Sequence, residues 1–153
     1  MRTPDRTHAK TGLHARVRED VLDRARPLLR DCLHMFGSQG QATETLLLWM
    51  RTSYMESDGD ELVSTMMHIA GVNLMSQDYR RRPKRRHLHV MVDQDALDFL
   101  DLLTTTYPGA FANKNEALER IIDYAASLHR ESSAYFLQRL QDAQHLYPSR
   151  RNR

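Results

Sequence analysis

The chain has 153 residues, with 22 lysines and arginines against 20 aspartates and glutamates and a formal net charge of +2. That length allows one ordinary domain or two very small ones, and the single cysteine, Cys32, excludes an intrachain disulfide and a cysteine-rich zinc site. No apolar run approaches the roughly 18 residues of a membrane span and the N-terminus has no signal-peptide core, so a soluble, cytoplasmic protein is expected.

Residues 1–11 are polar, carry Arg2, Arg6 and Lys10, and read as a flexible basic arm. From 12 to 17 the chain alternates, with Leu13, Ala15 and Val17 on one face and Gly12, His14 and Arg16 on the other, which predicts a half-buried strand. A helix from about Asp20 would carry Val21, Ala25, Leu28 and Cys32 as its apolar stripe. Pro27 falls inside it, where a proline kinks or ends a helix. Gly37-Ser-Gln-Gly40 marks a turn, with Ser38 placed to cap the next helix. That helix carries Ala42, Leu46, Trp49 and Ser53 flanked by Leu47, Met50 and Tyr54, a wide apolar arc that suits a central position. Residues 56–60 break it, and Leu62, Val63, Met66, Met67, Ala70 and Leu74 form another helical stripe. Met55, Met66, Met67 and Met75 could make an adaptable binding surface, but ordinary core packing is the simpler reading.

Arg80, Arg81, Arg82, Lys84, Arg85 and Arg86 then put six cations into seven positions, a basic linker over 80–86. A second strand follows, with Leu88, Val90 and Val92 on one face and His87, His89 and Met91 on the other. Asp93 or Asp95 can cap a helix carrying Leu97, Phe99, Leu100 and Leu103, which ends near Thr106-Tyr-Pro-Gly109. Asn113 and Glu116 have capping-box spacing and open a helix with the stripe Leu118, Ile121, Ile122, Ala125 and Leu128. A last helix over about 134–146 holds Phe136, Leu140 and Ala143, before a basic tail over 148–153 with Arg150, Arg151 and Arg153.

Shifted by 75 residues, the chain matches itself without a gap. The pairs Leu13/Leu88, His14/His89, Val17/Val92, Asp20/Asp95, Leu22/Leu97, Asp23/Asp98, Leu28/Leu103, Phe36/Phe111, Ala42/Ala117 and Glu44/Glu119 are identical, ten of the 32 positions from 13 to 44. Unrelated chains would match at about one position in sixteen, so the pattern is an internal duplication. Two copies are expected, 12–79 and 87–147, each a strand and three helices. Either would be marginal alone, because small units bury too little surface, so the two should share one core.

A short strand and two helices, the second opening on a polar cap, resembles the ribbon-helix-helix superfamily of Arc and MetJ type. The residues that carry the resemblance are His87-Leu-His-Val-Met-Val92 through Leu97 and Asp98, then Asn113-Lys-Asn-Glu116. It covers about 87–130 and, by repetition, 12–55. The resemblance implies a mainly α fold with one two-stranded antiparallel ribbon, built here as a tandem pseudo-dimer within one chain. In that family the ribbon enters the DNA major groove, its outward side chains read base edges, and the N-terminus of the second helix holds a phosphate. Single-chain tandem members such as TraY and the T-DNA transfer accessory protein are the nearest in organisation.

The base-reading set would be Gly12, His14, Arg16, His87, His89 and Met91, with Arg16 the natural guanine reader. Phosphate contacts would come from Asn113, Lys114 and Asn115, from Ser38 and Gln39, and from the cationic run of Arg80, Arg81, Arg82, Lys84, Arg85 and Arg86. The partner is double-stranded DNA, with a relaxase or other DNA-processing protein beside it, and further self-association on DNA stays open. No cofactor is expected. His87 and His89 with His14 opposite could bind a divalent metal, but no carboxylate joins them in the strand, and no metal is expected. Without a phosphate-cradling loop, a nucleophile elbow or paired carboxylates, an enzyme is not expected. A relaxosome-type accessory factor in conjugative or plasmid DNA processing is the leading role; an autoregulating repressor and an antitoxin-like or other protein-interaction module are the alternatives.

Overall fold

The computed structural model describes residues 10–75 and 84–146. Within them the chain runs β1 (Lys10–Arg18), α1 (Glu19–Arg24), α2 (Arg26–Phe36), α3 (Gln39–Glu56), α4 (Gly59–Met75), β2 (Arg85–Asp93), α5 (Gln94–Thr106), α6 (Lys114–Glu131) and α7 (Ser133–Leu146). It is a mainly helical fold with one two-stranded antiparallel sheet. The offset of 75 residues reappears in the elements: β2 begins and ends 75 residues after β1, and α6 begins and ends 75 residues after α3.

The two strands pair along their whole length, Lys10 opposite Asp93, His14 opposite His89 and Arg18 opposite Arg85. A two-stranded ribbon is marginal by itself, and the alternation of this one decides how it is held. Leu13, Ala15, Val17, Val90 and Val92 are buried and Leu88 is half-buried, whereas His14, Arg16, His87, His89 and Met91 are exposed. Burying each larger apolar side chain is worth about 1.5–3 kcal/mol. The inward face therefore anchors the ribbon to the helices and leaves the other face wet.

Beneath the ribbon, α3 and α6 form the centre. Leu47 and Met50 of α3 and Leu118 and Ile121 of α6 are among the most completely buried side chains. Trp49 stacks on Tyr124, 75 residues further on, with ring centroids 6.0 Å apart, and meets Phe136 edge-on at 4.9 Å. The strands are packed reciprocally, α3 on β2 and α6 on β1; α4 lies mainly on α6 and α7 mainly on α3, while α2 and α5 touch both core helices.

Two buried glutamates lock the ribbon ends to this centre. Glu44 accepts hydrogen bonds from the Asp93 backbone N–H, at 2.6 Å, and from the Lys10 ammonium. Glu119 accepts from the Arg18 backbone N–H, at 2.7 Å, and from the Arg85 guanidinium, at 2.9 Å. Each member of the second set stands 75 residues from its counterpart in the first: Glu44 and Glu119, Lys10 and Arg85, Arg18 and Asp93. Burial pushes the Glu119 carboxyl above its ordinary range, opposed by the Arg18 N–H and the nearby guanidiniums.

Pro27 divides the first long helix. Ala25 (φ −91°, ψ 2°) separates α1 from α2, and the proline sits in the first turn of α2, where its missing N–H costs no helical bond. The expected stripe survives the break, with Val21, Ala25, Leu28 and Cys32 all buried. Gly37 ends α2 with φ +82°, a left-handed conformation that favours glycine. Asp93, not Asp95, caps α5 by accepting from the Asp95 N–H.

Three expectations are corrected by these bounds. The first strand starts at Lys10 rather than Gly12, because Lys10 and Thr11 still pair with Asp93 and Val92 and Lys10 is held by Glu44. The basic linker ends at Lys84 rather than at Arg86, since Arg85 and Arg86 open β2. The second strand likewise starts at Arg85 rather than His87, two residues ahead of the boundary drawn for the second copy. Arg2, Arg6, Arg80, Arg81, Arg82, the tail 148–153 and the side chains of Leu74 and Met75 lie outside the described residues.

Removing either glutamate should loosen the ribbon ends. Glu44→Ala or Glu119→Ala is expected to cost about 1–3 kcal/mol in urea unfolding, because a buried strand N–H loses its acceptor. Glu61→Ala, at an exposed position of α4, should stay within about 0.5 kcal/mol. Equal effects at all three positions would show that the glutamates do not hold the ribbon.

Candidate nucleic-acid interface

The wet face of the ribbon is built from three cross-strand pairs: Gly12 opposite Met91, His14 opposite His89, and Arg16 opposite His87. Strict alternation brings the six together, since a slip of one residue would exchange them with the core set. At the centre the His14 and His89 rings stack, with centroids 3.9 Å apart and planes 18° apart; the His87 ring lies 6.0 Å from His14. Gly12 makes room for this stack. A Cβ there would stand 3.3 Å from His14 Nε2 and 3.5 Å from His89 Nε2.

Packed imidazoles repel one another when protonated. His14 is held below its ordinary pKa first by the charge of His89, then by desolvation, and then by His87 and Lys114. The hydrogen bond from the Arg16 backbone N–H to Asn115 Oδ1 puts the start of α6 beside this face. Arg16 and Met91, at the two diagonal corners, complete an exposed surface with donors, a guanidinium fork and an apolar tip.

The two helix N-termini sit at opposite ends of the ribbon. At one end, Asn113 caps α6 by accepting from the Glu116 N–H at 3.0 Å, and Asn115 Oδ1 accepts from the Arg16 backbone N–H at 3.1 Å. At the other, Ser38 caps α3 by accepting from the Gln41 N–H at 3.1 Å. There Gly40 comes so close to the ribbon that a Cβ would stand 3.1 Å from the Met91 carbonyl oxygen. Gly40 and Met91 are the 75-residue counterparts of Asn115 and Arg16, so one docking geometry is made by a hydrogen bond at one end and by close approach at the other. Each cap satisfies a single amide of the helix end, and the end carries partial positive charge.

The remaining expected residues divide. Ser38, Gln39, Asn113 and Lys114 are exposed at the two helix starts. Asn115 is half-buried, and its side-chain carbonyl docks α6 onto the strand. Lys84 and Arg86 are exposed, with Arg86 3.8 Å from Glu19. Arg85, read as part of a loose cationic run, is tied to Glu119 and to the Arg16 carbonyl. Arg80, Arg81 and Arg82 are outside the described residues.

Sequence reasoning passed over Glu44, Glu119, Lys10 and Arg18, which position the ribbon rather than face outward. The signal was present in the duplication: Glu44/Glu119 is an identical acidic pair amid apolar helix positions, a place where a carboxylate persists only with partners. Among the described residues, no group of three or more His, Cys, Asp or Glu side chains is placed to hold a metal ion, and no helix is long and apolar enough to cross a membrane. In comparisons with known proteins, no family model, no curated protein and no solved structure matches this chain.

Proposed function

We propose that this chain is a sequence-specific double-stranded DNA-binding protein of ribbon-helix-helix type. Its two halves act as a pseudo-dimer within one molecule, and the β1–β2 ribbon enters the major groove. The observation that carries this reading is the ribbon itself: six outward residues with both core-helix N-termini at its ends. A two-stranded ribbon fits the major groove, and a helix N-terminus favours a phosphate through its free amides and dipole.

In this reading Arg16 offers its fork to guanine O6 and N7, the imidazoles donate to base acceptors, and Met91 meets a thymine methyl. The equivalent pairs Gly12/His87 and Arg16/Met91 differ in chemistry, so the two half-sites differ in sequence. Lys114 stands at the start of α6 where Gln39 stands at the start of α3, so the α6 end holds phosphate more strongly. Single-chain tandem organisation favours an accessory role at a DNA-transfer origin over self-repression. Footprinting on the chain's own promoter and on the neighbouring transfer origin tests this, and protection of the promoter alone would assign repression.

Arg16→Ala should leave thermal melting nearly unchanged and cost about 1–3 kcal/mol on the cognate site, with much less lost on random duplex. Equal loss on both duplexes would remove base reading from this face. Lys114→Ala should weaken all duplexes alike and flatten the log–log salt dependence by about 0.9 if one phosphate contact goes. An unchanged slope would place Lys114 off the backbone.

Acid should strengthen non-specific binding. Protonation of His14 adds charge to the DNA-facing surface, and its lowered pKa puts that gain below the ordinary histidine value of about 6.5. Affinity for random duplex is therefore expected to rise as the pH falls from about 6.5 to about 5. His14→Gln should reduce the rise. An undiminished rise in that variant would assign the pH dependence elsewhere.

A further inference from the structure

Beside the ribbon, between α2 and the start of α3, lies a cavity of about 540 Å³. Small-molecule sites commonly span roughly 300–1,000 Å³ and combine apolar walls with a few placed polar groups. The walls here are apolar, with Leu22 and Leu29 on one side and Leu46, Ile121 and Ile122 on the other. Leu33 of α2 also lines it while 50% exposed, so a large apolar side chain stands at an open mouth.

The charged lining holds Arg26, Arg30 and Arg86 with one carboxylate, Asp23. Asp23 accepts from Arg26 at 2.7 Å, and Arg86 lies 3.8 Å from Glu19, both pairs with largely exposed side chains. Among the described residues Arg30 has no ion-pair partner. An apolar trough lined by one unpaired guanidinium and two held only in exposed pairs is complementary to a molecule with an apolar body and an anionic end.

The α2 wall of this cavity has no chemical counterpart in the other half of the molecule. At the positions equivalent to Arg26, Leu29, Arg30 and Leu33 the other half has Asp101, Thr104, Thr105 and Pro108. The cations and the leucines are both missing there. The helix break at Pro27 falls in the same half, and Phe36 after it is only half-buried, where its counterpart Phe111 is fully buried. The half with the broken helix therefore supplies Arg26, Arg30 and the α2 leucines of the cavity, and the other half closes it with Arg86, His87, Leu88 and the α6 residues Leu118, Ile121 and Ile122.

We propose that this cavity is a binding site for a small amphipathic carboxylate, a straight-chain fatty acid or an acid of similar shape. Its apolar body lies along Leu22, Leu29, Leu46 and Ile121, and its carboxylate is held by Arg30 with Arg26 and Arg86. The cavity shares Gln39, Arg86 and His87 with the proposed DNA-facing surface, and ligand binding is tested without DNA.

Calorimetric titration of the full chain with decanoate, below its micelle concentration, should show saturable one-to-one binding. Decanol and acetate, which lack the charge or the body, should each bind at least about tenfold more weakly. Arg30→Glu should weaken decanoate binding by a similar factor, whereas Arg139→Glu, a charge reversal on α7 away from the cavity, should not. Leu29→Trp should block the trough, with circular dichroism confirming that the variant folds; if it does not fold, Arg30→Glu decides. No saturable decanoate binding, decanol binding as tightly as decanoate, or equal loss in Arg30→Glu and Arg139→Glu would each overturn the site.

Discussion

A two-stranded ribbon has to be dry on one face to be held in place. Leu13, Val17, Val90 and Val92 meet that need by packing on α3 and α6, and the alternation leaves His14, Arg16, His87 and His89 exposed on the other face. With so few strands, ladder hydrogen bonds alone would leave the ribbon fraying. The buried carboxylates of Glu44 and Glu119 counter this at both ends, each taking a strand N–H and a strand cation. A buried charge is tolerable only when it is paired in this way. The cost of desolvating the two carboxylates is offset by these partners, and the ribbon is thereby fixed on the helices.

The same reciprocity sets the helix ends. Because α3 lies on β2 and α6 on β1, the N-terminus of each core helix arrives at an opposite end of the ribbon. The outward side chains are thus framed by two regions of partial positive charge. The frame is nearly symmetric but its contents are not. Arg16 is matched by Met91, Gly12 by His87, and Lys114 by Gln39. A duplicated chain can keep the shared skeleton and let the two faces diverge, which an assembly of identical subunits cannot do.

Divergence also reached the helices. Pro27, in the first turn of α2, is accommodated without costing the buried stripe, because the chain breaks at Ala25 between α1 and α2. The second half keeps one unbroken helix with Leu102 at that position. The apolar trough lies between α2 of the broken half and residues of β2 and α6 from the other half.

Much of this was legible in the residues. Period-two alternation over 12–17 and 87–92 fixed which side chains share a face, and the 75-residue self-match foretold that both strands and both capped helices would recur. Ser38 and Asn113 were readable as caps because their offset to the next amide is a local matter. The strand limits were not readable. Lys10 and Arg85 look like members of polar, cationic stretches, and only the approach of Glu44 and Glu119 across the core turns them into strand ends. Asn115 and Gly40 likewise reveal their contact with the ribbon only once α6 and α3 are docked on it. Alternation, caps and repeats are properties of neighbouring residues and can be read along the chain. Ion pairs between residues 34 apart, and the cavity beside α2, depend on how the elements meet in space, which the tertiary structure alone decided.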